Sequence, residues 1–269
     1  MAPTVLITGA SQGIGKATAL LFAQKGYDLV LAARQVDRLD AVTAAIRAKG
    51  RDALAIPTDV SDREQVEALV EKALASCDRV DVLVNNAGIC MSGPVENTTL
   101  EDWRKIMDVN LWGYIYTINA LLPHFLERQA GTIVNVGSFG GKAPLPLMTP
   151  YCTSKYAVTG LTETLRLELE PKGIQVCGVH PGVTDSAFLE RAVFQGRDEQ
   201  DTNERRRQMQ QVLESPITSS PEDVARAVWQ VVQHPQAEVV VGGAASAAVT
   251  AHRLLPGLTS WLLGQSLKG

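Results

Sequence analysis

Short apolar runs alternate with longer amphipathic stretches along most of this chain. Val5-Leu6-Ile7-Thr8 predicts a first strand, ending at the glycine-rich turn Thr8-Gly9-Ala10-Ser11-Gln12-Gly13-Ile14-Gly15. A helix over about 13–25 follows, closed by Gly26. Residues 27–33 read as a second strand, 39–49 as a helix stopped by Gly50, and Ala53–Pro57 as a third strand. Helix 63–77 leads to a fourth strand, 80–85, which feeds Asn86-Ala87-Gly88. The stretch 100–128 reads as one long helix and 131–138 as a fifth strand. A helix over 151–170 stops near Pro171 and Gly173, and a sixth strand, 174–180, is broken by Pro181-Gly182.

Strands that are continuous apolar runs, separated by helices, predict a parallel sheet covered on both faces. The expected fold is α/β: one domain over 1–269, with a doubly wound parallel sheet of seven strands. A ligand would then lie across the carboxyl ends of the strands, between the first and fourth. After Gly182 the order weakens. Residues 184–216 are polar but carry Phe188, Leu189, Val193 and Phe194, which predicts a loop-and-helix lid. A helix over 222–233 and a seventh strand over 237–241 follow. The tail, 244–269, is alanine-rich and then apolar, with Leu254, Leu255, Leu258, Trp261, Leu262 and Leu263. It is too short to span a bilayer, and Pro256-Gly257 divides it into two pieces.

Composition narrows the function. The 269 residues are 45% hydrophobic, enough for a full core. A formal charge of −4 gives no global basic field for nucleic acid. Arg205-Arg206-Arg207 is interleaved with acids and reads as a solvated helix face. Cys77, Cys90, Cys152 and Cys177 have neither zinc-ligand nor Cys-x-x-Cys spacing, so reduced thiols and no metal are expected. The N-terminus has no signal-peptide pattern, and a cytoplasmic protein is expected.

The chemistry resides in Ser138, Tyr151 and Lys155. Spacing i, i+4 puts Tyr151 and Lys155 on one helix face. A phenol holds its proton up to about pH 10, and a nearby ammonium favours its release. Such a tyrosine can hand a proton to a carbonyl oxygen. A glycine turn before a helix can hold a dinucleotide. The bland alternative is an exposed pair beside an ordinary turn.

With Thr8-Gly9-x-x-x-Gly13-x-Gly15, Asn85-Asn86-Ala87-Gly88, Val109-Asn110-Leu111, Ser138, Tyr151-x-x-x-Lys155 and Pro181-Gly182 in this order, the chain resembles the short-chain dehydrogenase/reductase family. The resemblance runs from about Thr4 to Gly243 and implies a Rossmann-type sheet. It implies that Ser138 binds the carbonyl oxygen, Tyr151 donates the proton, Lys155 tunes Tyr151 and holds the nicotinamide ribose, and Asn110 interrupts its helix to support a water relay. It also implies cofactor contacts at Gly9, Ser11, Gln12, Gly13, Ile14 and Gly15, at Asp59 and Val60, at Asn86, Ala87 and Gly88, and at Pro181, Gly182 and Ser186. Ala33 stands where NAD enzymes carry an acid and Arg34 follows it, so NADP(H) is the expected cofactor. Ser11 offers the same phosphate a hydroxyl, and Arg38 either helps there or is solvated.

Substrate contacts are expected from Phe139, Leu145, Met148 and Phe188, with Pro146, Leu147 and Leu189 nearby and Lys142 as an isolated cation. The expected function is interconversion of a lipophilic ketone or aldehyde and its alcohol. The alternatives are a 3-oxoacyl-thioester reductase and, from another class, a non-catalytic cofactor-binding regulator. A homodimer is expected, with a homotetramer as the larger option. The tail is expected to pack over the substrate cleft of its own or a partner subunit.

Overall fold

Seven strands form one parallel sheet: β1 (Thr4–Thr8), β2 (Asp28–Ala33), β3 (Ala53–Pro57), β4 (Val82–Asn85), β6 (Gly131–Val136), β7 (Ile174–Pro181) and β9 (Glu238–Val241). Their order is β3-β2-β1-β4-β6-β7-β9, so the chain reverses direction of travel between β1 and β4. The computed structural model describes residues 2–184, 192–196, 198–215 and 217–265. Ser186, Phe188 and Leu189 lie outside these residues.

Alternation sends successive strand residues to opposite faces. Val5, Ile7, Leu29, Leu31, Val82 and Val84 pack on one face with Phe22 and Val228. These helical residues belong to α1 (Gly13–Gln24) and α8 (Pro221–Gln233). Leu6, Val30, Leu83 and Ile133 pack on the other with Leu69, Leu121 and Phe125. Their helices are α3 (Arg63–Ser76) and α5 (Gly113–Arg128), while α2 (Val36–Arg47) packs Leu39 and Ile46 on the α1 side. Both faces are thus covered, as continuous apolar strands require.

The expected helix over 100–128 is two helices with a wide turn between them. Helix α4 (Leu100–Met107) opens with a capping box from Thr99 and Asp102. Asp108–Trp112 then form a π-helical turn before α5. No glycine or proline marks residues 100–112, so the extra residue per turn is not visible in the sequence. Helix α6 (Thr149–Leu169) carries Tyr151 and Lys155. Two short strands, β5 (Met91–Ser92) and β8 (Val193–Phe194), pair with each other outside the main sheet. Helix α7 (Glu199–Leu213) forms the second part of the expected lid.

The tail does split at Pro256: α9 (Gly243–Leu254) precedes α10 (Pro256–Gln265). It does not lie over the cleft of its own subunit among the described residues. Ala245, early in α9, would meet a Cβ on Gly182, while Arg253 at its end pairs with Glu238 at the start of β9. Helix α9 therefore runs back along β9, away from the carboxyl ends of the strands. Leu254, Leu255, Leu258, Trp261 and Leu262 are exposed. Among the described residues, no helix is long and apolar enough to cross a membrane.

Candidate active site

The carboxyl ends of β1, β4, β6 and β7 frame the site. At β1 the turn to α1 holds Gly9 at φ +66° and Gly13 at φ +53°, a region that favours glycine. A Cβ on Gly15 would stand 2.2 Å from the Gly9 carbonyl oxygen, and one on Gly9 would stand 2.9 Å from the Ala87 Cα. This turn is therefore closed to side chains. Gln12, the residue before α1, makes no side-chain cap, so the first amides of the helix keep their donor capacity.

Asn86 fixes the turn against β4. Its amide Nδ2 donates to the Thr8 carbonyl at 2.9 Å, and Thr8 Oγ1 accepts from the main-chain amides of Asn86 and Ala87 at 3.0 and 3.1 Å. Below them, buried Asn85 donates to Asn135 and accepts from Thr117 Oγ1, and Asn135 donates to Thr162. A satisfied buried network of this kind rigidifies the strand ends.

Ser138 follows β6, and its Oγ accepts the Gly140 amide at 3.0 Å. Tyr151 hydrogen-bonds the Ser138 side chain. Lys155 is buried; its Nζ donates to the Val136 carbonyl at 3.0 Å and lies over the ring of Tyr114. Burial, with the neighbouring Cys90 and Cys152, pushes the Tyr151 phenol above its ordinary value, against the opposing pull of Ser138. Burial also lowers Lys155 to about 8. The expected depression of Tyr151 by Lys155 does not appear: burial dominates, and the pull that lowers the phenol comes from Ser138.

Asn110 sits in the π-helical turn, fully buried behind the cleft. Its Oδ1 accepts the Ile89 amide at 2.8 Å, and its Nδ2 donates to the Ile89 carbonyl at 2.9 Å and to Ser154 Oγ at 3.0 Å. It reaches the same space as Lys155: a Cβ on Gly88 would lie 3.4 Å from Asn110 Oδ1 and 3.6 Å from Lys155 Nζ.

A cleft of about 320 Å³ joins these parts. Ser138, Tyr151 and Lys155 line it together with Gln12, Ile14, Asn86, Gly88, Pro181 and Gly182. Phe139, Leu145 and Met148 form part of its apolar wall. Sequence reasoning missed Met209, Val212 and Leu213 of α7, which complete that wall. Their helix reads as solvated because its charges outnumber its apolar residues, and only their spacing of three and four marks a face. Among the described residues, none of the tail lines the cleft.

A smaller cavity of about 90 Å³ adjoins the glycine turn. Gly9, Ser11, Arg34, Asp59, Val60, Ala87 and Gly88 line it. Arg34 pairs with Asp59 at 3.5 Å. Burial works against ionisation of Asp59, but hydrogen bonds from Ser61 and the Arg34 guanidinium hold its carboxyl below the ordinary value. Arg38 hydrogen-bonds Gln12 through Nη1 and so reaches the rim of the site rather than open solvent. Lys142, the isolated cation of the sequence, is not free for substrate: it pairs with Glu163 and Glu238. Among the described residues no His/Cys/Asp/Glu group has metal-binding geometry.

A family model for short chain dehydrogenases matches residues 3–197. The chain belongs to the short-chain dehydrogenase family. As a family member it is an oxidoreductase. An uncharacterized oxidoreductase, YxnA of Bacillus subtilis (strain 168), is 34% identical over 262 residues, 96% of this chain and 70% of the relative. A short-chain dehydrogenase/reductase from Burkholderia phymatum, solved in complex with NAD, superposes with a TM-score of 0.87 at 28% identity, covering 96% of this chain and 95% of that one. A short-chain dehydrogenase from Sphingobium yanoikuyae, solved in complex with NADPH, gives 0.76 at 33% identity over 88% and 87% of the two chains.

Proposed function

We propose that this protein is an NADP(H)-dependent reductase of lipophilic ketones or aldehydes, working reversibly on the corresponding alcohols. The observation that carries the reading is the meeting of Ser138, Tyr151 and Lys155 in one cleft with apolar walls. The glycine turn fits a dinucleotide, because Gly9 and Gly15 leave backbone where a Cβ would collide and the first amides of α1 lack a cap. Gly9, Ser11, Gln12, Gly13, Ile14 and Gly15 would hold its pyrophosphate side, Asp59 and Val60 its adenine, and Asn86, Gly88, Pro181, Gly182 and Lys155 its nicotinamide end. When bound, that group supplies the hydride.

The residues of this chain handle the oxygen. Ser138 Oγ and the Tyr151 hydroxyl are hydrogen-bonded partners, and each can turn its single proton to a carbonyl oxygen that enters between them. Tyr151 holds its proton firmly in the buried cleft, which suits a general acid that releases it only as negative charge develops on that oxygen. Lys155, fixed on the Val136 carbonyl, supplies the positive charge that favours this release. Asn110 anchors Ile89 and Ser154 behind Lys155 and keeps the wide helical turn in place.

Arg34 and Arg38 support the choice of NADP(H). Arg34 lines the cavity beside Ser11 and Gln12, where a ribose 2′-phosphate would sit, and Arg38 hydrogen-bonds Gln12. The substrate is read as uncharged and lipophilic because Met148, Leu145, Met209 and Val212 wall the cleft and Lys142 is already paired. Homodimer formation is supported by Trp112, Leu126, Tyr156 and Leu167, all exposed on or beside α5 and α6. The test is cofactor consumption with NADPH and NADH against a panel of aliphatic, aryl and charged ketones. Turnover of the uncharged ketones with NADPH is expected; turnover confined to charged ketones, or to NADH, contradicts the reading.

A further inference from the structure

His180 lies beside the catalytic serine and has no part in the chemistry above. It is 2% exposed, in β7 between β6 and β9. Two glycines make its seat. A Cβ on Gly137 would stand 2.5 Å from its Nδ1, and one on Gly178 would stand 2.8 Å from its Nε2. The Nδ1 edge thus faces the residue before Ser138. The Nε2 edge faces Glu238, whose Oε2 is 3.6 Å away. The ring also hydrogen-bonds the main chain of Ser138, and Glu238 Oε2 is ion-paired with the Lys142 ammonium. Buried polar groups tied together in this way rigidify the segments they hold.

The same carboxylate reaches the other end of the serine turn. Lys142 closes that turn with its amide on the Phe139 carbonyl at 2.9 Å. Its ammonium pairs with Glu238 and donates to Glu163 Oε1 at 2.7 Å, on the helix that carries Tyr151. Arg253 of α9 meets Glu238 Oε1 at 3.3 Å. The segment from Gly137 to Lys142 is therefore held at both ends by groups that converge on Glu238.

We propose that His180 is a positioning residue, which with Glu238 and Lys142 sets the Ser138 turn so that its hydroxyl faces Tyr151. This rests on Ser138 and Tyr151 forming the proton-donating pair described above. The imidazole acts as a neutral wedge. Burial first, then the Lys142 ammonium, lower its pKa to about 4 against the pull of Glu238 and of the Ser138 main chain, with Lys155 adding a smaller push. One ring edge then faces Glu238 and the other the main chain of the serine turn.

The test uses the full chain carrying His180→Phe, His180→Gln and Glu238→Gln, with NADPH and an aryl ketone that the wild type reduces. His180→Phe should lower kcat about ten- to a hundredfold, as for a small misplacement of an aligned group. KM and the NADPH Kd should stay within about threefold, since His180 lines neither cavity. His180→Gln, which keeps a donor toward Glu238, should recover most of the loss. The NMR amide of Gly140, which donates to Ser138 Oγ, should move in His180→Phe and return in His180→Gln. Unchanged kcat in His180→Phe, equal losses in both His180 variants, or a KM and Kd that rise with the fall in kcat would each overturn the proposal. If His180→Phe does not fold, Glu238→Gln decides: a several-fold lower kcat supports it and an unchanged kcat overturns it. If the wild type reduces no ketone, the functional reading fails, and the Gly140 amide still decides the role of His180.

Discussion

The Lys155 ammonium stands 6.0 Å from the centroid of the Tyr151 ring, and both side chains are buried. Burial acts on them in opposite directions, raising the phenol and lowering the ammonium to about 8. The charge that assists proton release is the protonated form of Lys155, present below that value. The rate of ketone reduction should therefore be level near pH 6–7 and fall as pH rises through about 8. Lys155→Arg, which cannot lose its proton, should abolish that limb at reduced turnover. A wild-type profile level to pH 9.5 would contradict the assignment.

Arg34 lines the cavity beside the glycine turn, and Arg38 hydrogen-bonds Gln12 of that turn. Removing one charge-assisted contact to a 2′-phosphate costs roughly 1.5–3 kcal/mol. Arg34→Ala and Arg38→Ala should each raise the KM for NADPH by about tenfold or more and leave that for NADH nearly unchanged. A wild type that prefers NADH, or variants with an unaltered preference, would refute the cofactor choice.

Local chemistry explains what the sequence disclosed. The turn from Gly9 to Gly15, the Ser138 position and the Tyr151–Lys155 spacing are each set by neighbours in the chain, and the structure brings all of them to one cleft. The strands were legible because each is an apolar run bounded by glycine or a polar turn. Long-range geometry was not. Met209 reaches the cleft from a helix whose charges dominate its pattern. Lys142 was read as a free cation, yet Glu163 and Glu238 claim it from other elements. The seat of His180 depends on the small size of Gly137, just past β6, and of Gly178, in β7.

His180 also ties stability to pH. Its folded pKa of about 4 lies below the ordinary 6.5, so the unfolded chain takes up its proton first as pH falls. Its contribution is fully present above about 6.5 and is lost as pH falls from there to about 4. The loss is roughly 3 kcal/mol. Lys142, Glu238 and Lys155 are the charged groups facing the ring, with Glu163 and Arg253 behind them. Urea unfolding at pH 7 and pH 4.5 should give a smaller difference for His180→Gln than for the wild type; equal differences would contradict this.

The tail helix α10 packs on α9, and its Leu258, Trp261 and Leu262 are exposed. It neither lines the cleft nor braces the sheet. Deleting residues 256–269 should leave the Tm within about 2 °C and KM for bulky ketones within about twofold, since exposed surface far from packed features contributes little. A large change in KM with no loss of stability would instead place the tail over a partner's cleft.

The proton-donor role of Tyr151 is the centre of the mechanism, and its replacement by phenylalanine tests it most directly. Tyr151→Phe removes only the hydroxyl that meets Ser138. With saturating NADPH and an aryl ketone, kcat should fall by about 10²–10⁴-fold, the usual worth of a positioned general acid. The NADPH Kd, measured by fluorescence on the same preparation, should stay within about twofold. Turnover near the wild-type rate would contradict the assignment of Tyr151 as the group that gives the carbonyl oxygen its proton.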